Sequence, residues 1–345
     1  MVCAACVVMQ RNEGYLLKAW VEYHGRLFAF EDLSIIDHGS ESSDTIEILD
    51  WAEGLGVFVD RSHCKPQHYA QKGEIVSKRL EFLRDSGKYD FLFPLDCDEM
   101  IVKFTDSGVT CDRHDLHNYL SSLLEDSKTL RINYQLLNVP GRPGFFYIRG
   151  GLKTFYAADS FGWTDHGYHL AGSRGDTGYK DTDILYAHFH NRPFASLVDN
   201  ARRKIARQAN PDDKAALKKI IEAQSPGAHL APYFFMSPEE YINGILERPC
   251  IQFRPLEILL ESMGIDPNVY PVDSTHQNVK GPSIAIYIDG HSGLGIAADR
   301  RSGEILPFSS RRYIEANPDV ASAGMNAVAH YVMFGYREPR LLYRR

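Results

Sequence analysis

Apolar and polar positions trade places in a regular order over the first hundred residues. Val2 to Met9 is an unbroken apolar, β-branched run and predicts a buried strand. Asn12 stands where it caps a helix whose apolar positions, Leu16, Leu17, Trp20, Val21 and Leu27, recur at helical spacing. Leu33 to Ile36 predicts a second strand ending at Asp37, and Ser43 and Asp44 a second helix start. Val57 to Val59 predicts a third strand. Ile75, Val76, Leu80 and Leu83 predict a third helix stopped by Gly87, and Tyr89 to Leu95 a fourth strand. Pro94 donates no ladder hydrogen bond and is tolerable only near that strand's end. This alternation predicts an α/β fold: a mostly parallel, Rossmann-like sheet with helices on both faces.

In such sheets ligands sit beyond the C-terminal strand ends. The polar residues there are Arg11, Asn12 and Glu13, Asp37 to Ser40, Asp60 and Arg61, and Asp96 to Glu99. Neither GxGxxG nor GxxxxGK[ST] occurs, which disfavours a dinucleotide fold or a P-loop. Downstream the pattern loosens. Leu130 to Val139, Phe145 to Arg149, Thr154 to Tyr156 and Asp183 to Phe189 predict strands, the middle two separated by glycines. His114 to Leu124, Phe194 to Gln208, Lys214 to Ala223 and Pro238 to Leu246 predict helices. Near Pro271 the texture changes to short strands (Ser283 to Ile288, Gly293 to Ala297) and a helical tail through Tyr313 and Tyr331. The expected division is a main domain over 1–270, its elements from about 105 onward forming a second side of the site, and a C-terminal extension over 271–345.

Composition narrows the classes. A chain of 345 residues, 44% hydrophobic and 24% charged, can bury a large core. A net charge of −7 counts against nucleic-acid binding, but not against phosphate ligands when a bound cation supplies the positive charge. No apolar run reaches about 18 residues, so no transmembrane helix is expected. The apolar start has no basic residue before it, so no secretory signal is expected. Six cysteines in this length do not make a disulfide framework, and the expected location is the cytoplasm. Cys3 and Cys6, three apart on a strand, face opposite sides and are expected to be buried structural residues.

Four segments carry candidate chemistry. Asp96-Cys97-Asp98-Glu99 follows the apolar run Phe91 to Leu95 directly. Such acids repel one another unless a cation joins them, and a hard divalent ion with open positions for phosphate does so. Standing alone, an Asp-x-Asp is most often a solvated acidic turn; after a buried strand the metal reading is favoured. His188-Phe189-His190-Asn191-Arg192 sets two imidazoles two residues apart, suited to Mn²⁺ or Zn²⁺, or else one packed and one exposed histidine. Asp37-His38-Gly39-Ser40 is either a nucleoside contact or a plain turn. Gly162 to His169 mixes aromatics with Asp165, suited to sugar stacking and proton abstraction, or is a surface loop; Asp159 competes for the same role.

Together these pieces resemble the family-2-like GT-A glycosyltransferases over roughly residues 3–210. The resemblance is carried by Arg11-Asn12-Glu13, Trp20-Val21-Glu22-Tyr23-His24, Asp37-His38-Gly39-Ser40 with Asp44, Gln71, Leu95-Asp96-Cys97-Asp98-Glu99 and His188-Phe189-His190-Asn191-Arg192. It implies a nucleotide-sugar donor, a UDP-sugar favoured, and Mn²⁺ or Mg²⁺ held by Asp96, Asp98, His188 and His190. Arg11, Asn12, Glu13, Asp37, Gly39, Gln71, Asp96 and Arg192 would then line the donor pocket, with Asp165 or Asp159 as catalytic base. The acceptor would be a hydroxyl of a saccharide or glycolipid, transfer a hexosyl inversion, and the setting bacterial polysaccharide assembly in the cytoplasm, extending to peripheral contact with the inner membrane face. The tail Tyr313 to Arg340 is similar to a segment ending some such enzymes. Two other classes compete: a metal-dependent hydrolase or nucleotidyltransferase using the same carboxylates with the two histidines, and a non-catalytic sugar-binding protein.

Overall fold

A computed structural model describes the chain except for residues 176–177, 207–208, 224–227, 229, 271–280, 300–302, 339 and 344–345. The expected boundary near 270 abuts the segment 271–280 outside the described residues.

The first half runs β1 (Ala4–Gln10), α1 (Tyr15–Leu27), β2 (Leu33–Asp37), α2 (Ser43–Gly54), β3 (Phe58–Asp60), α3 (Pro66–Ala70), α4 (Lys72–Asp85) and β4 (Phe91–Leu95). β3, β2, β1 and β4 lie side by side and all pair in parallel. β1 is buried on both faces, which is why it reads as one continuous apolar run. Its alternate residues divide two cores. Ala4, Cys6 and Val8 pack with Leu17, Trp20 and Val21 of α1 and Leu49 of α2. Ala5, Val7 and Met9 pack with Ile75, Val76, Leu80 and Leu83 of α4. Helices therefore cover both faces, as the alternation predicts.

Beyond β4 the sheet becomes mixed. β5 (Glu99–Thr105), β6 (Gly108–Thr110), α5 (Arg113–Ser121), β7 (Thr129–Val139) and β8 (Arg142–Ala157) follow, then β9 (Phe161–Thr164), β10 (Ala171–Ser173), β11 (Tyr179–Asp181) and β12 (Ile184–His188). β12 lies antiparallel to β5, opposing His188 to Glu99, and parallel to β7. Next come α6 (Phe194–Ile205), α7 (Lys214–Glu222), α8 (Pro238–Leu246), β13 (Cys250–Phe253) and α9 (Arg254–Ser262). After 280, β14 (Ile284–Ile288) pairs in parallel with β13, and β15 (Gly295–Ala298) and β16 (Ile305–Pro307) complete that side. Three short helices, α10 (Ser310–Ala316), α11 (Pro318–Ser322) and α12 (Ala327–His330), close the chain around buried Tyr313 and Tyr331. Among the described residues no helix is long and apolar enough to cross a membrane.

Some expectations are corrected. The runs Phe145 to Arg149 and Thr154 to Tyr156 are one strand, β8: Gly150 and Lys153 pair with Tyr134 and Ile132 of β7, and a register shift between them takes up an extra residue. Asn12 does not cap α1, whose N-cap is Gly14; it adopts φ 55° and its Oδ1 accepts from the amides of Glu41 and Ser42. Cys6 is buried but Cys3 is exposed. Pro94 is accommodated because β8 pairs with β4 only at Phe91 and Leu92, so no partner awaits a Pro94 amide on that edge.

Candidate metal centre

The parallel strands end together, and β4 turns at once through Asp96, Cys97 and Asp98 into β5. The turn is fixed from within: the Asp96 amide donates to Glu99 Oε2 at 2.9 Å. The register of β12 on β5 then brings the end of β12 beside Asp98, and the Phe189 amide donates to the Asp98 carbonyl at 2.8 Å. Asp98, His188 and His190 each direct a ligand atom into one group, all within 4.8 Å of one another. His188 Nε2 lies 3.3 Å from Asp98 Oδ2. Its Nδ1 donates to Gln135 Oε1 at 2.6 Å, which aims Nε2 at the centre of the group. At the roughly 2.1 Å bond length of a small divalent cation, adjacent ligand atoms stand about 3 Å apart. The Asp98–His188 edge has that size, and two imidazoles with one carboxylate suit Mn²⁺ or Zn²⁺. Burial alone would raise the Asp98 carboxyl, but the His188 ring beside it holds it well below the usual range. Burial would likewise lower His188, and Asp98 turns that into a rise. Burial and the neighbouring His188 push His190 down to about 4, so its ring is neutral and ready to ligate.

Asp96 is turned away from this group. Lys72 Nζ binds its Oδ1 at 2.5 Å and Lys153 Nζ its Oδ2 at 2.6 Å. Lys153 also stands 3.0 Å from Glu99 Oε1, an ion pair without an aligned hydrogen bond. Both ammonium groups lie over the ring of buried Tyr168, at 4.4 and 5.0 Å from its centre. Burial would raise the Asp96 carboxyl, but the two lysines hold it far below the ordinary carboxylate value. Of the four ligands expected from sequence, the structure gathers Asp98, His188 and His190; Asp96 is drawn off because two cations already satisfy both of its oxygens.

The other expected residues fall into two places. Glu13 pairs with Arg192 at 2.9 Å beside Asp98, and Arg192 lies 5.5 Å from the ring centre of Tyr270, whose hydroxyl donates to the Phe189 carbonyl at 2.7 Å. Asp37 is buried at the end of β2 and accepts from Gln10 Nε2 at 2.7 Å and from the Ser40 amide at 3.0 Å. Gly39 follows with φ 72°, and a Cβ there would sit 3.2 Å from the Cys64 Cα. Arg11 reaches Glu41 at the surface, and Gln71 lies exposed between α3 and α4. Asp165 stands at the rim: its loop crosses the start of α4 so closely that a Cβ on Gly73 would meet the Asp165 carbonyl carbon at 2.7 Å. Its Oδ1 already accepts from the amides of His169 and Leu170. Asp159 is a correction. The Ala158 amide bonds the Asp90 carbonyl, so Asp159 lies at the start of β4, the strand end opposite Asp96. Lys72, Lys153, Gln135 and Tyr270 are the residues that motif reading passed over. The one available signal was a lysine, Lys153, between the glycine pair and the apolar end of β8.

No protein-family model and no curated protein matches the sequence. Among solved structures, S. aureus TarS is matched over 88% of this chain and 60% of that one, at 12% identity and a TM-score of 0.33. Its fragment 1–349 with UDP is matched over 59% and 65%, at 10% and 0.30. Glucosyl-3-phosphoglycerate synthase from Mycobacterium tuberculosis, with Mn²⁺, UDP and glucosyl-3-phosphoglycerate, is matched over 61% and 82%, at 15% and 0.31. The chain thus spans less than two-thirds of the TarS chains. Likeness at this level assigns no activity to it.

Proposed function

We infer that the chain is a metal-dependent glycosyltransferase of the GT-A kind, moving a sugar from a nucleoside-diphosphate sugar, a UDP-sugar first, to a hydroxyl of a saccharide or glycolipid. The observation that carries the reading is the Asp98, His188 and His190 group at the C-terminal ends of parallel strands. These three residues would hold Mn²⁺ or Mg²⁺, the histidines favouring Mn²⁺. When bound, the cation supplies Lewis-acid stabilisation of the charge that develops on a departing diphosphate. Asp37 and Gly39, at the end of β2, would contact the nucleoside, with Arg11 to Glu13 after β1 beside it. Arg192 adds a cation on the metal's flank, its charge kept by Glu13 and by the face of Tyr270. Asp165 is the base in this reading, through the carboxylate oxygen its loop does not use. A single in-line displacement then inverts the anomeric centre. The reading extends to polysaccharide assembly at the inner face of a membrane.

Calorimetry against a panel of nucleotide sugars, with and without Mn²⁺, tests this. Mn²⁺-dependent binding of a UDP- or GDP-sugar that disappears in Asp98→Ala supports it. A second reading has a specific basis, since two histidines and one carboxylate also make an open three-ligand zinc site. Tight Zn²⁺ binding with no affinity for any nucleotide sugar would establish that hydrolase reading instead.

A further inference from the structure

On the flank of the metal group away from β1 and β2, β8 carries Tyr147 and Arg149 two residues apart, hence on one face. Arg149 directly opposes Gln135 on β7, and Gln135 is the residue that orients His188. Arg149 is close enough to His190 to help depress its pKa, after burial and His188. From the loop before β13, Arg248 lays its guanidinium over the Tyr147 ring, 5.0 Å from the centre. Both arginines are exposed, and among the described residues neither forms an ion pair; Arg248 has only the Gly244 carbonyl. Among the groups that act on Tyr147 are Asn191, Arg248 and Arg149. Beside it Tyr233 meets Tyr241 edge-to-face at 6.1 Å and also feels Arg149. In a chain of net charge −7, these two guanidinium groups place positive charge beside the metal group.

We propose that Arg149 and Arg248, on either side of Tyr147, form an acceptor subsite for an oxyanion, so that the acceptor is an anionic saccharide, bearing a phosphate or a carboxylate. The proposal rests on the glycosyltransferase reading for the word acceptor, not for the oxyanion. Guanidinium forks match both phosphate and carboxylate oxygens, and buried Tyr147, beneath the Arg248 guanidinium, helps hold that arginine in place. The subsite is built on β8 and the loop before β13, whereas Asp37 and Gly39 lie at the end of β2, and β4 and β1 lie between β8 and β2 in the sheet.

The test titrates the full chain, saturated with UDP and Mn²⁺, with glucose, glucuronate and glucose 6-phosphate, and repeats the titrations on Arg149→Gln/Arg248→Gln. The expected result is binding of one anionic sugar about ten-fold or more tighter than glucose, lost in the double variant. Preference for glucose 6-phosphate identifies a phosphate, and preference for glucuronate a carboxylate. Equal binding of all three sugars, or a preference that survives the double variant, overturns the proposal. So does a variant that loses UDP affinity instead, since the arginines then serve the diphosphate. If wild type fails to bind UDP with Mn²⁺, the glycosyltransferase reading fails. The same titrations, run on Asp98→Ala to remove the metal group, still decide whether the arginines hold an oxyanion. Both side chains are exposed, and thermal melts of the variant confirm that it folds.

Discussion

Asp96 and Asp98 are two residues apart, and replacing each by asparagine separates their roles. Asp96→Asn removes the charge that Lys72 and Lys153 share at 2.5 and 2.6 Å. Taking one partner out of a buried ion cluster costs about 3–5 kcal/mol. The lysines are 10% and 12% exposed but Asp96 is 32% exposed, so the lower end applies. With a denaturant slope of about 3 kcal/mol/M, a loss of about 3 kcal/mol lowers the urea midpoint by about 1 M. The stabilisation is complete above the unfolded carboxyl value of about 3.9, because the folded value lies below it, and it declines only as pH falls further. Asp98→Asn instead removes the one charged ligand of the metal group. Loss of a partner that only orients a ligand costs about 10–100-fold in metal affinity, so loss of this ligand should cost about 100-fold or more. Urea denaturation followed by circular dichroism and Mn²⁺ calorimetry on both variants read the two axes. The reasoning is refuted if Asp96→Asn keeps the wild-type midpoint, or if the two substitutions weaken Mn²⁺ equally.

Three further predictions follow from local geometry. His24 is fully buried and held down to about 3, mainly by burial, while an unfolded histidine titrates near 6.5. Between these values the unfolded chain binds the extra proton, so stability falls by about 1.4 kcal/mol per pH unit on acidification, and His24→Leu should flatten that slope in urea titrations at pH 5, 6 and 7. Gly39→Ala forces a side chain into φ 72° and onto the Cys64 backbone, and should cost about 1–3 kcal/mol and weaken UDP binding; unchanged UDP calorimetry would count against a nucleoside there. Asn191 donates from Nδ2 to the Asn138 carbonyl at 2.6 Å and to Tyr147 Oη at 3.2 Å, and receives an Asn138 amide bond on its own carbonyl at 3.0 Å. Asn191→Ala should cost about 2 kcal/mol and lower Mn²⁺ affinity by loosening the His188–His190 segment, whereas a melting temperature equal to wild type would show the amide pair to be dispensable.

The sequence announced the parts whose physics is local. β1 reads as a strand because both of its faces are buried, and α1 and α4 because their apolar stripes meet those faces. Asp98, His188 and His190 were legible because strand ends in parallel sheets converge. The fate of Asp96 was not, since its partners come from residues 72 and 153, brought together only by the start of α4 and the run of β8. The glycines at 150 and 151 look like a turn until β7 is seen pairing with the strand on both sides of the bulge they mark. Asp159 failed for a directional reason: β8 runs against β4 and carries the chain past the site to the strand's other end.

That same strand has a consequence for dissecting the molecule. β8 joins β4 near its end and β13 near its beginning, and β13 in turn holds β14. A truncation placed in 271–280 would leave β13 as a bare edge with unsatisfied amides and carbonyls, open to pairing between copies. Expression of the shorter piece should therefore give aggregates, and the intact chain should melt as one cooperative unit, not as a core with a detachable appendage.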